Sequence, residues 1–321
     1  MLLKKIKLNY LEKLFSDLVV NNKFNEIKDQ LNKLRIENKE MYNLFLNKVL
    51  NTFLNNDQGQ HYFKNKIIWI NSFDLNDTKL IDKFISYYLQ KTSNLNISSN
   101  TYSDELLGLP ADIYKNDISF EDIVENNFLF QYEILGSNEK NLFKIIRNNH
   151  VFFEKLPNKF FTHYYLTSCC FYIIRNPIQM YCTYKDKFKD QSIAYNMLLN
   201  MDSSSIIEKN KIRSVENTTK DWSTNVNSWT NQNVVNTYRG FVIKYEDIIA
   251  SPLQKLAEVA AHLNQSGLDL NIDYSIIETF IADNSSEFNY DLNNSFSVSN
   301  QEKKKIYRDF GRTIEKFNYQ I

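Results

Sequence analysis

The feature that most constrains the fold is an unbroken apolar run at residues 169–174 (CCFYII), which stops abruptly at Arg175, Asn176 and Pro177. A short run rich in β-branched and aromatic residues that ends in turn residues is typical of a strand buried on both faces. Asn176 is a good helix N-cap and Pro177 a good first helical residue, so a helix is predicted to begin at once. Arg175 is therefore expected at the carboxyl end of a buried strand, beside the N-terminus of a helix.

This position of Arg175 allows two interpretations. In open α/β sheets, ligands bind outside the carboxyl ends of the strands, and a guanidinium beside free backbone N–H groups favours a phosphate. The alternative is a structural arginine that pairs with a carboxylate of its own chain. The spacing alone does not choose between the two.

Three segments of the chain carry a family resemblance. They are FYIIRNP with Thr183 eight residues after Arg175, WSTNVNSWTNQN at 222–233, and FVIKYEDIIASPLQKLAEVAAHL at 241–263. In order and spacing they resemble the sulfotransferase family, whose donor is 3′-phosphoadenosine-5′-phosphosulfate (PAPS), over roughly residues 66–320. The resemblance implies that Arg175 and Thr183 bind the 3′-phosphate of the donor, since a Thr hydroxyl can make the hydrogen bond of the family's Ser.

The loop after the first predicted strand, KIIWIN at 66–71, departs from this family. The family's phosphate loop resembles Tyr-Pro-Lys-Ser-Gly-Thr-Thr and holds the 5′-phosphosulfate, whereas this chain has SFDLNDTKL at 72–80. Aligned without gaps, the Pro falls on Asp74, the Lys on Leu75, the Ser on Asn76 and the Gly on Asp77. Two carboxylates in an anion cradle repel the ligand by about 1 kcal/mol each in water and by several in a drier pocket. Loss of the Gly also restricts the close backbone approach that phosphate loops use.

The resemblance still implies three donor-site residues in this loop. Asn76 stands at the position of the family's Ser, and Thr78 is expected at or near the start of the next helix. Lys79 could supply the missing cation, which makes it a candidate catalytic residue. Alternatively, Lys79 is a solvated surface lysine.

A candidate general base ends another predicted strand, KFFTH at 159–163. In the family the equivalent strand ends Lys-Thr-His, and its His accepts the proton of the acceptor hydroxyl. Here Thr162 and His163 match, while Phe161 stands in place of the Lys. An imidazole, with a reference pKa of about 6.5, can accept a proton at neutral pH. The alternative is a structural histidine in a tyrosine-rich segment.

The second phosphate clamp of the family is also missing. The family wraps the 3′-phosphate in a basic loop that resembles Arg-Lys-Gly, whereas residues 283–300 contain no Lys, Arg or Gly. Another cation would have to enter the donor pocket from elsewhere in the fold. The candidates are Arg147, Lys185 and Arg239.

The pattern of elements predicts an α/β fold: a three-layer sandwich with a central, mainly parallel sheet. This is the P-loop-like fold that the resemblance to sulfotransferases implies. Strands are predicted at 66–71, 159–163, 169–174 and 240–247, helices at about 78–90, 112–135, 141–148 and 251–262, and a loop at 93–110. Trp222 and Trp229 lie seven residues apart, on one helical face, and are predicted to be core anchors. Glu246 is predicted to be structural.

Residues 1–62 are predicted to form a helical extension that precedes a sulfotransferase-like domain at 63–321. Apolar residues of this segment recur at three- and four-residue steps, as in amphipathic helices. The extension is either an added packing layer or an element for dimerisation or partner docking. In the second case the chain forms a homo-oligomer through these helices.

Composition narrows the function classes. The 38 Lys and Arg balance the 38 Asp and Glu, and a formal net charge of zero argues against a nucleic-acid binder. The three cysteines fall on the buried strand and its helix, which fits reduced core thiols, and none has metal-ligand spacing. No apolar run approaches the ~20 residues of a membrane span, and the N-terminus lacks the apolar region of a signal peptide. We therefore expect a cytoplasmic protein without a metal.

Two functions remain after these arguments. The resemblance implies a sulfotransferase that moves the sulfonyl group of PAPS to a hydroxyl or amine acceptor, which the sequence does not identify. The alternative is a catalytically inactive relative that keeps the fold as a binding or scaffolding module. The loop at 72–79 and the segment at 283–300 are the features that discriminate between them.

Overall fold

The computed structural model describes residues 33, 66–93, 96–101, 142–152, 154–156, 159–160, 162, 166–199, 220–268, 270–288 and 298–320. Nearly all of the predicted N-terminal extension, residues 1–62, therefore lies outside the described residues. The predicted helix at 112–135 also lies outside them. Both stay predictions.

Seven strands are described, and five of them form one sheet. The strands are β1 (Lys66–Asn71), β2 (Asn96–Thr101), β3 (Leu142–Asn148), β4 (Glu154–Leu156), β5 (Lys159–Phe160), β6 (Thr167–Ile174) and β7 (Gly240–Lys244). The sheet has the order β2-β3-β1-β6-β7, and every neighbouring pair is parallel. β4 and β5 form a separate antiparallel pair. The predicted parallel sheet is thus confirmed.

Ten α-helices are described. They are α1 (Lys79–Thr92), α2 (Pro177–Phe188), α3 (Gln191–Leu199), α4 (Trp222–Trp229), α5 (Gln232–Thr237), α6 (Tyr245–Ala250), α7 (Pro252–Leu263), α8 (Tyr274–Asp283), α9 (Ser285–Phe288) and α10 (Asn300–Lys316). A 3₁₀ turn, Leu75–Thr78, leads into α1, and a π turn, Asn264–Leu268, follows α7.

All eight residues of β6 are buried, which confirms the buried strand that the apolar run predicts. Its side chains alternate between the two faces of the sheet, so that Cys170, Tyr172 and Ile174 enter one core cluster while Cys169, Phe171 and Ile173 enter the other. Burial of each large apolar side chain contributes about 1.5–3 kcal/mol. The strand is therefore the centre of both cores.

Helices cover both faces of the sheet, which confirms the three-layer sandwich. The first core cluster contains residues of α2, α3, α4 and α10, and the second contains residues of α1, α6, α7 and α8. The three cysteines are buried in these clusters and form no disulfide, as expected for core thiols. Both predicted core anchors are confirmed, because Trp222 and Trp229 are almost fully buried in the first cluster.

The carboxyl ends of β1 and β6 lie where open α/β sheets form a ligand-binding crevice, and this region is called the Arg175 crevice. From β1 the chain runs through α1 on one face of the sheet, whereas from β6 it runs through α2 on the other face. Neighbouring strands that feed helices on opposite faces mark a topological switch point, where open α/β sheets bind ligands. The turn after β1 and Arg175 after β6 border this crevice.

Three predicted elements are wrong. Residues 141–148 were predicted as a helix and form β3, which pairs with β1. Part of the predicted loop at 93–110 forms β2 at the edge of the sheet. The predicted strand at 159–163 is not a strand of the main sheet, because β5 has only the two residues Lys159–Phe160 and pairs with β4.

The last strand ends earlier than predicted. β7 stops at Lys244, and Glu246 lies in the first turn of α6 instead of closing the strand. Glu246 accepts a hydrogen bond from the backbone N–H of Asn176 at 2.8 Å, which ties α6 to the start of α2. This contact agrees with the structural role predicted for Glu246. Among the described helices, none has the length and apolar character needed to cross a membrane.

Candidate functional site

Arg175 lies at the carboxyl end of β6, and its guanidinium is held on three sides. Nη1 donates to Oδ1 of Asp77 at 3.0 Å, and Nη2 donates to Oγ1 of Thr183 at 3.3 Å. The guanidinium carbon lies 4.9 Å from the centre of the Tyr245 ring, within cation–π range. The side chain is only 9% exposed. Of the two interpretations of Arg175, the pairing with a carboxylate of its own chain is the one observed.

The local sequence explains how Thr183 reaches Arg175. The Asn176 side chain caps α2 by accepting from the N–H of Ile178, and Pro177 occupies the first turn, as predicted. α2 then places Thr183 two turns in, on the side that faces the end of β6. The Thr183 hydroxyl donates to the carbonyl of Gln179 at 3.0 Å, so its oxygen is free to accept from Arg175.

Asp77 occupies the 3₁₀ turn between β1 and α1, with its side chain directed at Arg175. The carboxylate is 3% exposed, and burial raises its pKa from 3.8 to about 7, although the charge of Arg175 lowers it. Its second oxygen, Oδ2, is buried and has no hydrogen-bond partner among the described residues. Burial of an ion pair costs more than the pair recovers unless all its hydrogen bonds are made. The raised pKa reflects that cost.

Two of the three donor-site residues predicted in this turn bond within it. The Thr78 hydroxyl is buried and donates to the carbonyl of Leu75 at 2.7 Å. The Asn76 side chain donates to Oδ1 of Asp74, the residue that caps the turn. Lys79 is exposed at the start of α1, as in the alternative of a solvated surface lysine. None of these roles in donor binding is tested by the fold.

Carboxylates outnumber the guanidinium around this crevice. Asp74 and Glu246 both act on Asp77 in the direction that raises its pKa, so their negative charges lie close to it. Asp74 is fixed there by the Tyr184 hydroxyl, which donates to its Oδ2 at 2.9 Å. Burial raises the pKa of Glu246 as well. The crevice therefore has a negative field that disfavours an incoming anion.

The three alternative sources of positive charge are engaged elsewhere. Arg147 pairs with Asp82 at 3.3 Å, Lys185 pairs with Glu302 at 2.8 Å, and Arg239 donates to the carbonyls of two residues, Ser168 and Ser266. The hypothesis that one of them replaces the missing cation at Leu75 is not supported by these contacts. Half of the segment at 283–300, residues 289–297, lies outside the described residues.

The candidate base His163 also lies outside the described residues and stays a prediction. Its neighbour Thr162 is buried, its hydroxyl lies 2.9 Å from that of Thr167, and its carbonyl accepts from the Tyr238 hydroxyl. Within the described ranges, no group of three or more His, Cys, Asp or Glu residues could hold a metal ion.

A network of buried asparagines supports the crevice and was not predicted. Asn71, at the end of β1, donates to the carbonyl of Phe171 in β6 and accepts from the amide of Asn148 in β3, both at 3.0 Å. Asn148 also bonds both backbone groups of His150. The signal in the sequence is an Asn at the end of each of two mainly apolar segments, KIIWIN and LFKIIRN.

Trp222 fixes the backbone of the crevice from the other side. Its indole N–H donates to the carbonyl of Arg175 at 3.2 Å, while the Tyr319 hydroxyl donates to the carbonyl of Ile174. Ile174 is the last ladder residue of β6, and Arg175 follows it directly. These hydrogen bonds fix the backbone position of Arg175 at the carboxyl end of β6.

Comparisons with known proteins give one kind of match. No protein-family model matches the chain. No curated protein matches it. Among solved structures 23 chains match, and one of them is mouse sulfotransferase SULT7A1 complexed with PAP. That match has 15% sequence identity and a TM-score of 0.42, and it covers 78% of this chain and 85% of the mouse chain. So distant a likeness carries no conclusion about the chemistry of this chain.

Proposed function

We propose that this chain is a non-catalytic sulfotransferase-like protein in which the carboxylate of Asp77 takes the place of a donor phosphate. The supporting observation is the buried pair between Arg175 and Asp77, with 3.0 Å between Nη1 and Oδ1. Thr183 completes the same arrangement, since it is the second group that the resemblance assigns to the 3′-phosphate. On this proposal the α/β domain is a binding module and does not use PAPS.

The charge balance supports the proposal. A nucleotide phosphate would have to displace Asp77 and would then meet the charges of Asp74 and Glu246, which lie near it. Each such repulsion costs about 1 kcal/mol in water and several in a buried site. Arg175 alone does not offset three carboxylates.

The residues at the predicted site of the 5′-phosphosulfate also disfavour binding of the donor. Leu75 stands where the family has its Lys, and the hydroxyl of Thr78 is bonded within its own turn. Lys79 is exposed, at the start of the helix. Loss of one preorganised charge of this kind costs a factor of about 10² to 10³ in rate. The residues present do not fit the phosphosulfate.

The experiment is a calorimetric titration of the full chain with 3′-phosphoadenosine-5′-phosphate (PAP), the desulfated donor. At pH 7.5 we expect no saturable binding up to about 5 mM, which corresponds to less than about 3 kcal/mol of binding free energy. A dissociation constant in the micromolar range would overturn the proposal.

A second candidate is PAPS-dependent sulfonyl transfer to a hydroxyl or amine. The observation that favours it is the 3.3 Å contact between Arg175 and Thr183, the two residues that the resemblance assigns to the 3′-phosphate. It requires Asp77 to leave Arg175 when the donor arrives, with His163 as the base and Lys79 as the cation. Micromolar PAP binding, followed by PAP release from PAPS that depends on His163, would support this candidate instead.

A further inference from the structure

A cleft between three helices lies apart from the Arg175 crevice. Its volume is about 520 Å³, within the range of about 300–1,000 Å³ of small-molecule sites. It is bounded by α2, α3 and α10. The lining residues are Tyr181, Gln191, Ser192, Tyr195, Ser299, Gln301, Glu302, Lys304, Lys305 and Arg308.

The cleft and the Arg175 crevice use different faces of α2. Tyr181 lines the cleft and donates to Glu302 of α10, whereas Thr183 bonds Arg175. Two residues along a helix are about 200° apart around its axis, so these side chains point in nearly opposite directions. A ligand in the cleft would therefore not touch the Arg175–Asp77 pair.

The acidic groups at and near the cleft already have hydrogen-bond or ion-pair partners within the protein. Glu302 accepts from Tyr181 and Lys185, and although burial raises its pKa, these bonds and those of Ser299 lower it to about 2. Asp309, which does not line the cleft but follows Arg308 in sequence, is bonded by Arg308 and by the Tyr195 hydroxyl. The negative charges of this wall are thus neutralised within the protein.

Several ammonium groups and hydrogen-bonding side chains of the cleft are available to a ligand. Lys304 is exposed and has no ion-pair or hydrogen-bond partner in the part of the chain that the structure describes. The side chains of Gln191, Ser192 and Gln301 likewise form no hydrogen bond with the described residues. Lys305 lies 3.6 Å above the ring of Tyr195, which fixes its ammonium at the wall. The cleft therefore combines unmatched positive charge with neutral hydrogen-bonding groups.

We propose that this cleft binds a small polar anion, namely a phosphate or sulfate ester of a sugar-sized polyol. Ammonium groups act as point charges and suit the tetrahedral oxygens of such esters. The amide and hydroxyl side chains of Gln191, Ser192 and Gln301 suit the hydroxyls of the polyol. The assignment does not depend on the state of Arg175.

The test is calorimetry on the full chain at low ionic strength with three probes: glucose 6-phosphate, glucose 6-sulfate and glucose. We expect at least one ester to bind with a dissociation constant of about 1 mM or lower, and glucose to bind at least about tenfold more weakly. The two esters identify whether a dianionic phosphate or a monoanionic sulfate is preferred. No binding of either ester at about 10 mM would overturn the proposal.

Charge reversal locates the site. Lys304→Glu is expected to weaken binding of the preferred ester at least about tenfold, because it replaces the unmatched cation by an anion. Lys83→Glu is the matched control, since Lys83 is also an exposed helical lysine but lies on α1, outside the cleft. Its affinity should stay within about twofold of the parent. Equal effects of the two substitutions, or no effect of Lys304→Glu, would contradict the assignment.

Discussion

Nη1 of Arg175 and Oδ1 of Asp77 lie 3.0 Å apart across 98 residues of sequence, and both side chains are buried. The pair bridges the carboxyl end of β6 and the turn that follows β1. This is the switch point where open α/β sheets bind ligands. The chain therefore supplies its own anion at the position where a resemblance to sulfotransferases would place a phosphate. On the proposed function, Asp77 is the group that keeps a nucleotide phosphate from Arg175.

The first prediction concerns the pH dependence of stability. The pKa of Asp77 is raised from 3.8 to about 7, so between these values the native protein binds a proton that the unfolded chain does not. The contribution of Asp77 to stability is fully present below the lower value and is lost as pH rises through about 7. Between pH 5 and pH 8 the free energy of unfolding should fall by at least about 1.4 kcal/mol through this group, which is one pKa unit.

Urea unfolding of the parent and of Asp77→Asn at several pH values measures this contribution. Asn cannot titrate, and all other groups are common to both proteins, so their pH dependence cancels in the difference. The difference in unfolding free energy, parent minus variant, should fall from pH 5 to pH 8. A difference that does not change with pH would show that Asp77 titrates normally.

The second prediction concerns Thr183. Thr183→Val keeps the shape of the side chain and removes the oxygen that Arg175 contacts at 3.3 Å. We expect it to destabilise the protein by about 1.5–3 kcal/mol, the contribution of a hydrogen bond to a charged group. The measurement is urea unfolding at pH 7.

Thr279→Val is its matched control. The Thr279 hydroxyl also donates to the carbonyl four residues earlier, as that of Thr183 does, but Thr279 is exposed and has no contact with Arg175. Its replacement should cost less than about 0.5 kcal/mol. If both substitutions cost the same, Arg175 gains nothing from Thr183.

The third prediction concerns the buried amide network. Asn148→Ala removes the donor to Asn71 and both bonds to the backbone of His150, leaving buried polar groups without partners. The expected loss of stability is about 2–4 kcal/mol by urea unfolding. Asn233→Ala, at an exposed position of α5, should cost less than about 0.5 kcal/mol. A loss below about 1 kcal/mol for Asn148→Ala would mean that water replaces the network.

The sequence was informative where local chemistry decides the structure. The apolar run of β6 is buried on both faces, and Asn176 and Pro177 start α2 as predicted. The helix predicted at 141–148 is wrong because the periodicity of a short apolar run does not distinguish a buried strand from a helix. β2, with the sequence NISSNT, has almost no apolar residues, and its pairing with β3 at the sheet edge overrides its composition.

The site was predictable only in part. Arg175 and Thr183 share one strand–helix unit, and the resemblance assigned both to one phosphate; the structure places them 3.3 Å apart. Asp77 belongs to another unit of the fold, and no local pattern signals that it reaches Arg175. The sequence did show a carboxylate where the family has a Gly. Only the parallel pairing of β1 with β6 brings that carboxylate to the guanidinium.

The most direct test of the central claim is the affinity of Asp77→Gly for PAP, measured by calorimetry at pH 7.5 beside the parent chain. Glycine is the residue that the family has at this position, and it removes both the charge and the bulk of Asp77. Asp283→Gly, at an exposed helix end, is the control, and circular dichroism checks that both variants are folded. We predict that Asp77→Gly binds PAP at least about tenfold more tightly than the parent, as expected when Arg175 is free to make a charge-assisted contact with the phosphate. The affinity of Asp283→Gly should equal that of the parent. Affinity that is unchanged in a folded Asp77→Gly variant would contradict the claim that Asp77 excludes the phosphate.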